Sequence, residues 1–286
     1  MPTIEIKAQD VQKLRQMTGA GLMDCKNALT EAHGDLDKAV RILREKGIAK
    51  SSRRAERVAA EGLVDTWVSA DCKAGLIIEL NSETDFVARN EEFIGFGKSL
   101  LKQLQENPGW TSPEQAPVAQ VAELSAKTGE KIAFKRFTRF NVSGGGLVAS
   151  YVHPGSKLAV LVQIESTKAG AASESLKELG RELCIQVAGA NPTYIVRSEV
   201  PTDILEREKE IAKKQMEGQK KPPEILEKIA IGKLAQFYEA QCLMDQPHVR
   251  DISGKAKIQD LVDAAGKKDQ AQLKVTNFVR YRVGAD

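Results

Sequence analysis

Side chains that commonly carry out covalent chemistry are few and scattered in this sequence. It has 3 histidines and 4 cysteines among 286 residues, and no histidine lies at helical ligand spacing from another His or from a Cys. The cysteines form no Cys-X-X-Cys pair, so neither a zinc site nor a disulfide framework is supported. We therefore predict no metal site and no cofactor. One pair, Asp85 with His153, has the chemistry of a general acid and base, and it would have to converge in a single pocket.

No nucleophile and no phosphate-binding loop accompanies that pair. The patterns GxxxxGKS and GxxxxGKT, whose backbone amides cradle phosphates, do not occur, so the chain is not itself predicted to be a GTPase. Since an acid and a base alone do not make an active site, we predict no catalytic residues and no enzymatic activity.

Composition describes an ordinary soluble globular chain. Hydrophobic residues make up 42% and charged residues 28%, and the length favours more than one domain. The net charge is +3, from 42 basic and 39 acidic residues, whereas a nucleic-acid-binding protein usually has a stronger basic excess. The apolar runs are too short to span a membrane. Residues 1–5 do not resemble a signal peptide, so we expect a cytoplasmic protein.

Residues Ser82–Val87 stand out because an internal repeat fails there. When the sequence is shifted by 84 positions, residues 62–64, 67–68, 73 and 76–78 meet identical or similar residues, but Thr84–Val87 meets Lys168–Ala171. Shared residues of a duplicated scaffold serve the fold, and residues present in one copy are candidates for function. An acid beside a large aromatic, Asp85 and Phe86, has the form of a wedge for a partner protein.

The elements around this stretch predict an α+β fold with antiparallel sheets. In a first subdomain, 61–141, we expect a hairpin over 61–81, a helix capped by Ser82 or Thr84 and running to about Glu106, a helix over Val118–Lys127, and a strand over 131–141. A second subdomain, 142–199 plus 243–286, repeats the hairpin over 146–165 and the helix over about 173–188. Residues Lys274–Val283 read as a strand that rejoins the second sheet.

Helical segments precede and interrupt these two units. Residues 1–47 predict a bundle of three short helices that ends at Gly47, and residues 48–60 predict a basic linker or exposed helix. Residues 200–242 predict a charged helical hairpin inserted in the second subdomain. Such a hairpin usually projects from a domain or meets a second subunit.

Several separate motifs, in order along the chain, resemble the family of bacterial elongation factor Ts. They are Met17–Lys26 (MTGAGLMDCK), Glu79–Arg89 (ELNSETDFVAR), Tyr151–Gly155 (YVHPG), Gln246-Pro247 and Phe278–Tyr281 (FVRY). The resemblance implies a guanine-nucleotide exchange factor for elongation factor Tu. It also implies a ubiquitin-associated-like N-terminal bundle, two related α+β subdomains, and a dimerisation hairpin through which two copies would associate.

The same resemblance implies a partner-binding site at Thr84, Asp85, Phe86 and Val87. This stretch would disturb the magnesium and phosphate contacts of GDP in elongation factor Tu. Leu22, Met23 and His153 would supply secondary contacts with the partner.

Spacing alone leaves other interpretations open. Phe86 lies seven residues before Phe93, so both rings fit the core face of one helix. Leu22 and Met23 fit a core as well as a docking tip, and His153 fits a simple turn residue. The competing function is a nucleic-acid-binding module that uses the basic segments Lys50–Arg57 and Lys213–Lys221, and the near-neutral charge argues against it.

Overall fold

The computed structural model describes residues 6–18, 20, 22–214 and 223–285. Its helices are α1 (Ala8–Thr18), α2 (Leu22–Glu31), α3 (Leu36–Ala55), α4 (Asp85–Ala88), α5 (Glu91–Glu106), α6 (Val118–Thr128), α7 (Glu174–Ala190), α8 (Thr202–Lys214), α9 (Pro223–Gln241) and α10 (Ile258–Asp269). Its strands are β1 (Glu61–Val68), β2 (Ala74–Ser82), β3 (Ala133–Asn141), β4 (Gly145–Val152), β5 (Leu158–Ser166) and β6 (Leu273–Arg282).

The six strands form two antiparallel sheets of three strands, in the orders β1-β2-β3 and β4-β5-β6. The α+β class with antiparallel sheets and N-terminal helices is therefore confirmed. Strand β6 pairs with β5, from Leu158 opposite Arg282 to Ser166 opposite Leu273. The predicted strand Lys274–Val283 does return to the second sheet after the helical segment.

The internal repeat is visible in the backbone. Strands β1 and β2 span 61–68 and 74–82, and β4 and β5 span 145–152 and 158–166, so each pair of bounds differs by 84 residues. The pairing register shifts once in each sheet, after Glu79 and after Gln163, which are also 84 residues apart. Gly62 and Gly146 both have positive φ, and a Cβ at either would collide with a carbonyl oxygen of the neighbouring strand. Glycine is required at both positions.

The two sheets pack against each other through contacts that come in symmetrical pairs. The Val64 N–H donates to the Ser156 carbonyl at 2.8 Å, and the Val148 N–H donates to the Cys72 carbonyl at 2.7 Å. Val148 is the counterpart of Val64 in the repeat, and Ser156 is the counterpart of Cys72. The two bonds are therefore the same contact with the roles of the copies exchanged. The copies are therefore related by an approximate two-fold axis, as in an isologous dimer.

Two lysines shared by the copies complete this interface. Lys73 Nζ donates to the Gly146 carbonyl at 2.8 Å, and Lys157 Nζ donates to the Gly62 carbonyl at 3.1 Å. Apolar side chains from both sheets fill the space between them, with Ile77 and Leu161 fully buried. Shared residues thus serve the fold, as the repeat argument expected.

Helices cover the outer face of each sheet and close its core. Helices α5 and α6 cover the first sheet around Phe93 and Leu100. Helices α7 and α10 cover the second around Leu183 and Ile258. Helices α1 to α3 have a separate small core centred on Leu14, Leu29 and Ala39, and α8 packs against α9.

Two expected element boundaries are wrong. Helix α3 does not stop at Gly47 but continues to Ala55, because a glycine costs a helix only about 1 kcal/mol and the following residues support helix. The helix expected to run unbroken to Glu106 is divided into α4 and α5.

Candidate partner-binding site at helix α4

Helix α4 is a single turn whose start is fixed by Thr84. Thr84 has extended backbone angles, φ −120° and ψ 157°, and its hydroxyl accepts the Val87 N–H at 3.4 Å. This is an N-cap, which satisfies one of the free amides at a helix start. The Ser82 hydroxyl donates to the Thr84 carbonyl at 2.9 Å, which ties the turn to the end of β2.

Asn90 explains why α4 and α5 are separate helices. Its backbone is extended, with ψ 137°, and its side chain accepts the Glu92 N–H at 2.8 Å. Asn90 is therefore the N-cap of α5, and a residue in that conformation cannot continue the preceding helix. The break changes the direction in which the side chains of α4 point.

Phe86 points away from the core and Phe93 points into it. The Phe86 side chain is 84% exposed, whereas Phe93 is fully buried. Val87 and Ala88, which follow Phe86 in the sequence, pack against the core of the first sheet. The alternative that placed both rings on one core face is therefore wrong. The ring of Phe86 is therefore available for contact with another molecule, and its neighbours on the turn hold it in place.

Asp85 lies beside the exposed ring. Its carboxylate forms an ion pair with Arg89 at 2.9 Å, and its side chain is 40% exposed. An exposed pair one helical turn apart contributes little stability, so a partner can replace Arg89 at small cost. The stretch Thr84–Val87 thus forms one unit. Thr84 and Val87 anchor it to the rest of the protein, and Asp85 and Phe86 are exposed to solvent.

The secondary candidates lie elsewhere. Leu22 and Met23, at the start of α2, are 54% and 63% exposed. The His153 Nδ1 shares a hydrogen bond of 2.9 Å with the Tyr151 hydroxyl in the turn between β4 and β5. Across the described ranges, no hydrogen bond or ion pair joins Asp85 to His153, so the acid/base pair gains no support.

Three of the four cysteines, Cys25, Cys184 and Cys242, are buried. Burial raises the pKa of the Cys184 thiol, and burial raises that of Cys242 to about 11, so both remain protonated and unreactive at neutral pH. Within the described part of the chain, no group of three or more His, Cys, Asp or Glu side chains is arranged to hold a metal ion.

The basic segments of the competing nucleic-acid hypothesis are only partly described. In Lys50–Arg57, the side chains of 50–55 lie outside the described residues, and Arg57 donates to the Glu83 carboxylate at 3.2 Å. Most of Lys213–Lys221 also lies outside them.

Sequence reasoning missed the residue that holds α4 from the other side. The Glu130 carboxylate accepts the Thr84 hydroxyl at 2.6 Å and the N–H groups of Glu83 and Thr84 at 3.1 Å and 3.0 Å. Glu130 is 46 residues from Thr84 and belongs to no local pattern. Only knowledge of the pairing between β2 and β3 would bring the two together.

Comparison with known proteins identifies relatives along nearly the whole chain. The family model described as "Elongation factor TS" matches residues 83–285. A relative named "Elongation factor Ts" from Clostridium botulinum (strain Eklund 17B / Type B) is 41% identical over 288 residues, which cover 98% of this chain and 93% of the relative. One of the same name from Chlorobium limicola is 41% identical over 293 residues, covering 98% of this chain and 99% of the relative.

The chain belongs to the elongation factor Ts family.

Membership in the elongation factor Ts family confirms the resemblance seen in the motifs. It makes the chain a translation elongation factor, a nucleotide exchange factor rather than an enzyme. The identity covers nearly the whole chain, including the N-terminal helices that precede residue 83. Among the described residues, no helix combines the length and the apolar character that crossing a membrane requires.

Proposed function

We propose that this protein binds elongation factor Tu in its GDP-bound form and promotes GDP release, so that GTP can bind during translation elongation. The elongation factor Ts family supports this function, and the observation that carries it is the 84% exposure of Phe86 on an anchored turn. The proposal places the protein in the cytoplasm, where translation elongation takes place.

Helix α4 acts as the wedge in this proposal. Phe86 inserts its ring into the partner beside the nucleotide site, and Asp85 leaves Arg89 to compete for polar contacts there. Magnesium and the phosphates of GDP lose part of their coordination as a result. Thr84 and Val87 do not enter the partner but hold the turn on its own core.

The wedge works through differential affinity. A ligand shifts an equilibrium only as far as it prefers one state, so the protein must bind nucleotide-free elongation factor Tu more tightly than the loaded form. Coupling is reciprocal, so bound GDP and magnesium weaken the protein's own binding. Burying the Phe86 ring contributes about 1.5–3 kcal/mol. This corresponds to about one to two factors of ten.

A wider interface supplies the remaining affinity. The exposed pair Leu22 and Met23 forms one further contact and His153 another, in keeping with their exposure at the tips of the N-terminal helices and of the second sheet. We further propose that the two sheets with their helices are two related subdomains. The hairpin of α8 and α9 is then an insertion through which a second copy associates.

Release of a fluorescent GDP from elongation factor Tu tests the function. The parent protein should accelerate release, and Asp85→Ala/Phe86→Ala should accelerate it far less while still binding. Val118→Ala, which trims another exposed apolar side chain, serves as the control and should match the parent. Fast release by both parent and double variant would refute the wedge, and no acceleration by the parent would refute the function.

A further inference from the structure

Two carboxylates exchange hydrogen bonds between the start of α4 and the connection from α6 to β3. Glu130 accepts the N–H groups of Glu83 and Thr84. Glu83 in turn accepts the Lys131 N–H at 2.6 Å. Each acidic side chain therefore holds the backbone of the other segment. We call this arrangement of Glu83, Thr84, Glu130 and Lys131 the carboxylate clasp.

The clasp extends to the N-cap of α4 through the Thr84 hydroxyl. A hydroxyl has one proton and two lone pairs. Thr84 gives its proton to Glu130 at 2.6 Å, so its lone pairs remain to accept the Val87 N–H at 3.4 Å. Glu130 thereby fixes the rotamer of the side chain that caps α4.

The position of Glu130 is itself set by the end of α6. Gly129 adopts a left-handed conformation, with φ +75°, and closes the helix. The Ser125 hydroxyl donates to the Glu130 carbonyl at 2.5 Å. Leu124, one residue earlier, is buried in the core of the first sheet. The end of α6 and the start of β3, which pairs with β2, together place the Glu130 carboxylate beside α4.

We infer that Glu130 is a positioning residue that aims Phe86 at the partner. This inference rests on the proposed function of α4. With both ends of a four-residue turn fixed, the exposed ring keeps one direction before the partner arrives, and less ordering is needed during binding. Glu83 and Thr84 are only half-buried, so water can replace the lost bonds and the fold survives without them.

Glu130→Gln removes the charge while keeping the size of the side chain. The single amide oxygen can keep the two N–H groups, but an NH2 group then faces the Thr84 hydroxyl, which loses the acceptor for its proton. The remaining bonds also lose the assistance of the negative charge. We expect the maximal rate of GDP release from elongation factor Tu to fall about tenfold, the loss typical of one bond to a charged group. The concentration for half-maximal release should change by less than about twofold, because the wider interface is intact.

Controls separate positioning from a general effect of charge. Glu123→Gln removes a carboxylate from α6, the helix that precedes Glu130, where Glu123 forms an exposed ion pair with Lys127 at 3.5 Å, and it should behave like the parent. Thr84→Ser keeps the hydroxyl and should retain most of the activity, whereas Thr84→Val should behave like Glu130→Gln. If Glu130 acts through the ring, Glu130→Gln should cause no further loss in a Phe86→Ala background.

Amide hydrogen exchange of the free protein tests the inference without any partner. Glu130→Gln should speed exchange at residues 84–88 about tenfold or more and leave β2 and α5 unchanged. If the α4 amides are as well protected from hydrogen exchange in Glu130→Gln as in the parent, the positioning role is overturned, whatever the GDP-release assay shows. An equal loss of release rate in the parent and Phe86→Ala backgrounds would also overturn it. A parent that fails to release GDP would refute the proposed function instead.

Discussion

Truncation of Phe86 to Ala should leave the stability of the free protein nearly unchanged, whereas Phe93→Ala should destabilise it strongly. Phe86 is 84% exposed. About a sixth of the transfer free energy of the ring is therefore lost, roughly 0.2–0.5 kcal/mol. The higher helix propensity of Ala offsets part of that loss. Phe93 is fully buried, and its removal should cost about 3–5 kcal/mol.

Urea unfolding followed by tryptophan fluorescence suits this comparison. The chain has 2 tryptophans, Trp67 and Trp110, and both pack against the core that contains Phe93. Their emission therefore reports the unfolding of the first sheet and the helices that cover it, α4 included. Leu100→Ala, another fully buried position in the same core, should resemble Phe93→Ala and calibrate the scale.

The comparison has a clear refuting result. If Phe86→Ala lowers the free energy of unfolding by more than about 1 kcal/mol, the ring must pack on its own domain in solution. Phe86 would then be a core residue, and the loss of exchange in its variants would report damage to the fold.

Two further predictions concern the scaffold. Lys73→Met removes hydrogen bonds to the Gly144 and Gly146 carbonyls, and Lys157→Met removes a hydrogen bond to the Gly62 carbonyl and an ion pair with Glu61. Each variant should lower the free energy of unfolding in urea by about 1–2 kcal/mol; no loss in either variant would contradict the paired interface. Hydrogen bonds from the Ala256 N–H, from the Ser253 hydroxyl and from further backbone N–H groups lower the pKa of Asp251 to about 2. The turn over 251–256 should therefore lose stability as the pH falls from about 4, the usual Asp value, towards 2. The protection factor of the Ala256 amide, the ratio of the exchange rate of an unstructured chain at the same pH to the observed rate, should fall over that range, and Asp251→Asn should abolish this pH dependence.

The sheets were predictable because their residues carry local signals twice. Both hairpins combine β-prone apolar strands with a segment of turn residues between them, and the 84-residue repeat links the two. The candidate site was found by the opposite signal, since Thr84–Val87 has no counterpart. The structure shows the same difference, because residues 169–172, which correspond to helix α4, form no helix.

The direction of Phe86 was not predictable from spacing. A separation of seven residues places two side chains on the same face only if one helix connects them. Asn90 breaks that helix by capping α5, and an Asn within an otherwise helical pattern is a weak signal. The error at Gly47 has the same origin, because glycine permits a helix end without requiring one.

The carboxylate clasp was invisible to sequence reasoning because it depends on tertiary structure. Glu130 meets Thr84 only after β3 pairs with β2 and α6 packs on the sheet. Neither residue lies in a pattern that identifies the other. Contacts of this kind set the direction of a functional side chain, and a single sequence does not contain them in readable form.

The decisive measurement asks whether Phe86 favours the nucleotide-free form of elongation factor Tu. It compares the affinity of the parent and of Phe86→Ala for that form and for the form bound to GDP and magnesium. Phe86→Ala should weaken binding to the nucleotide-free form by about 10- to 100-fold, the value of one buried ring. Binding to the GDP–magnesium form should weaken by less than about twofold, because the ring has no site there. Equal weakening of both forms would contradict the account, since Phe86 would then contribute affinity without driving exchange.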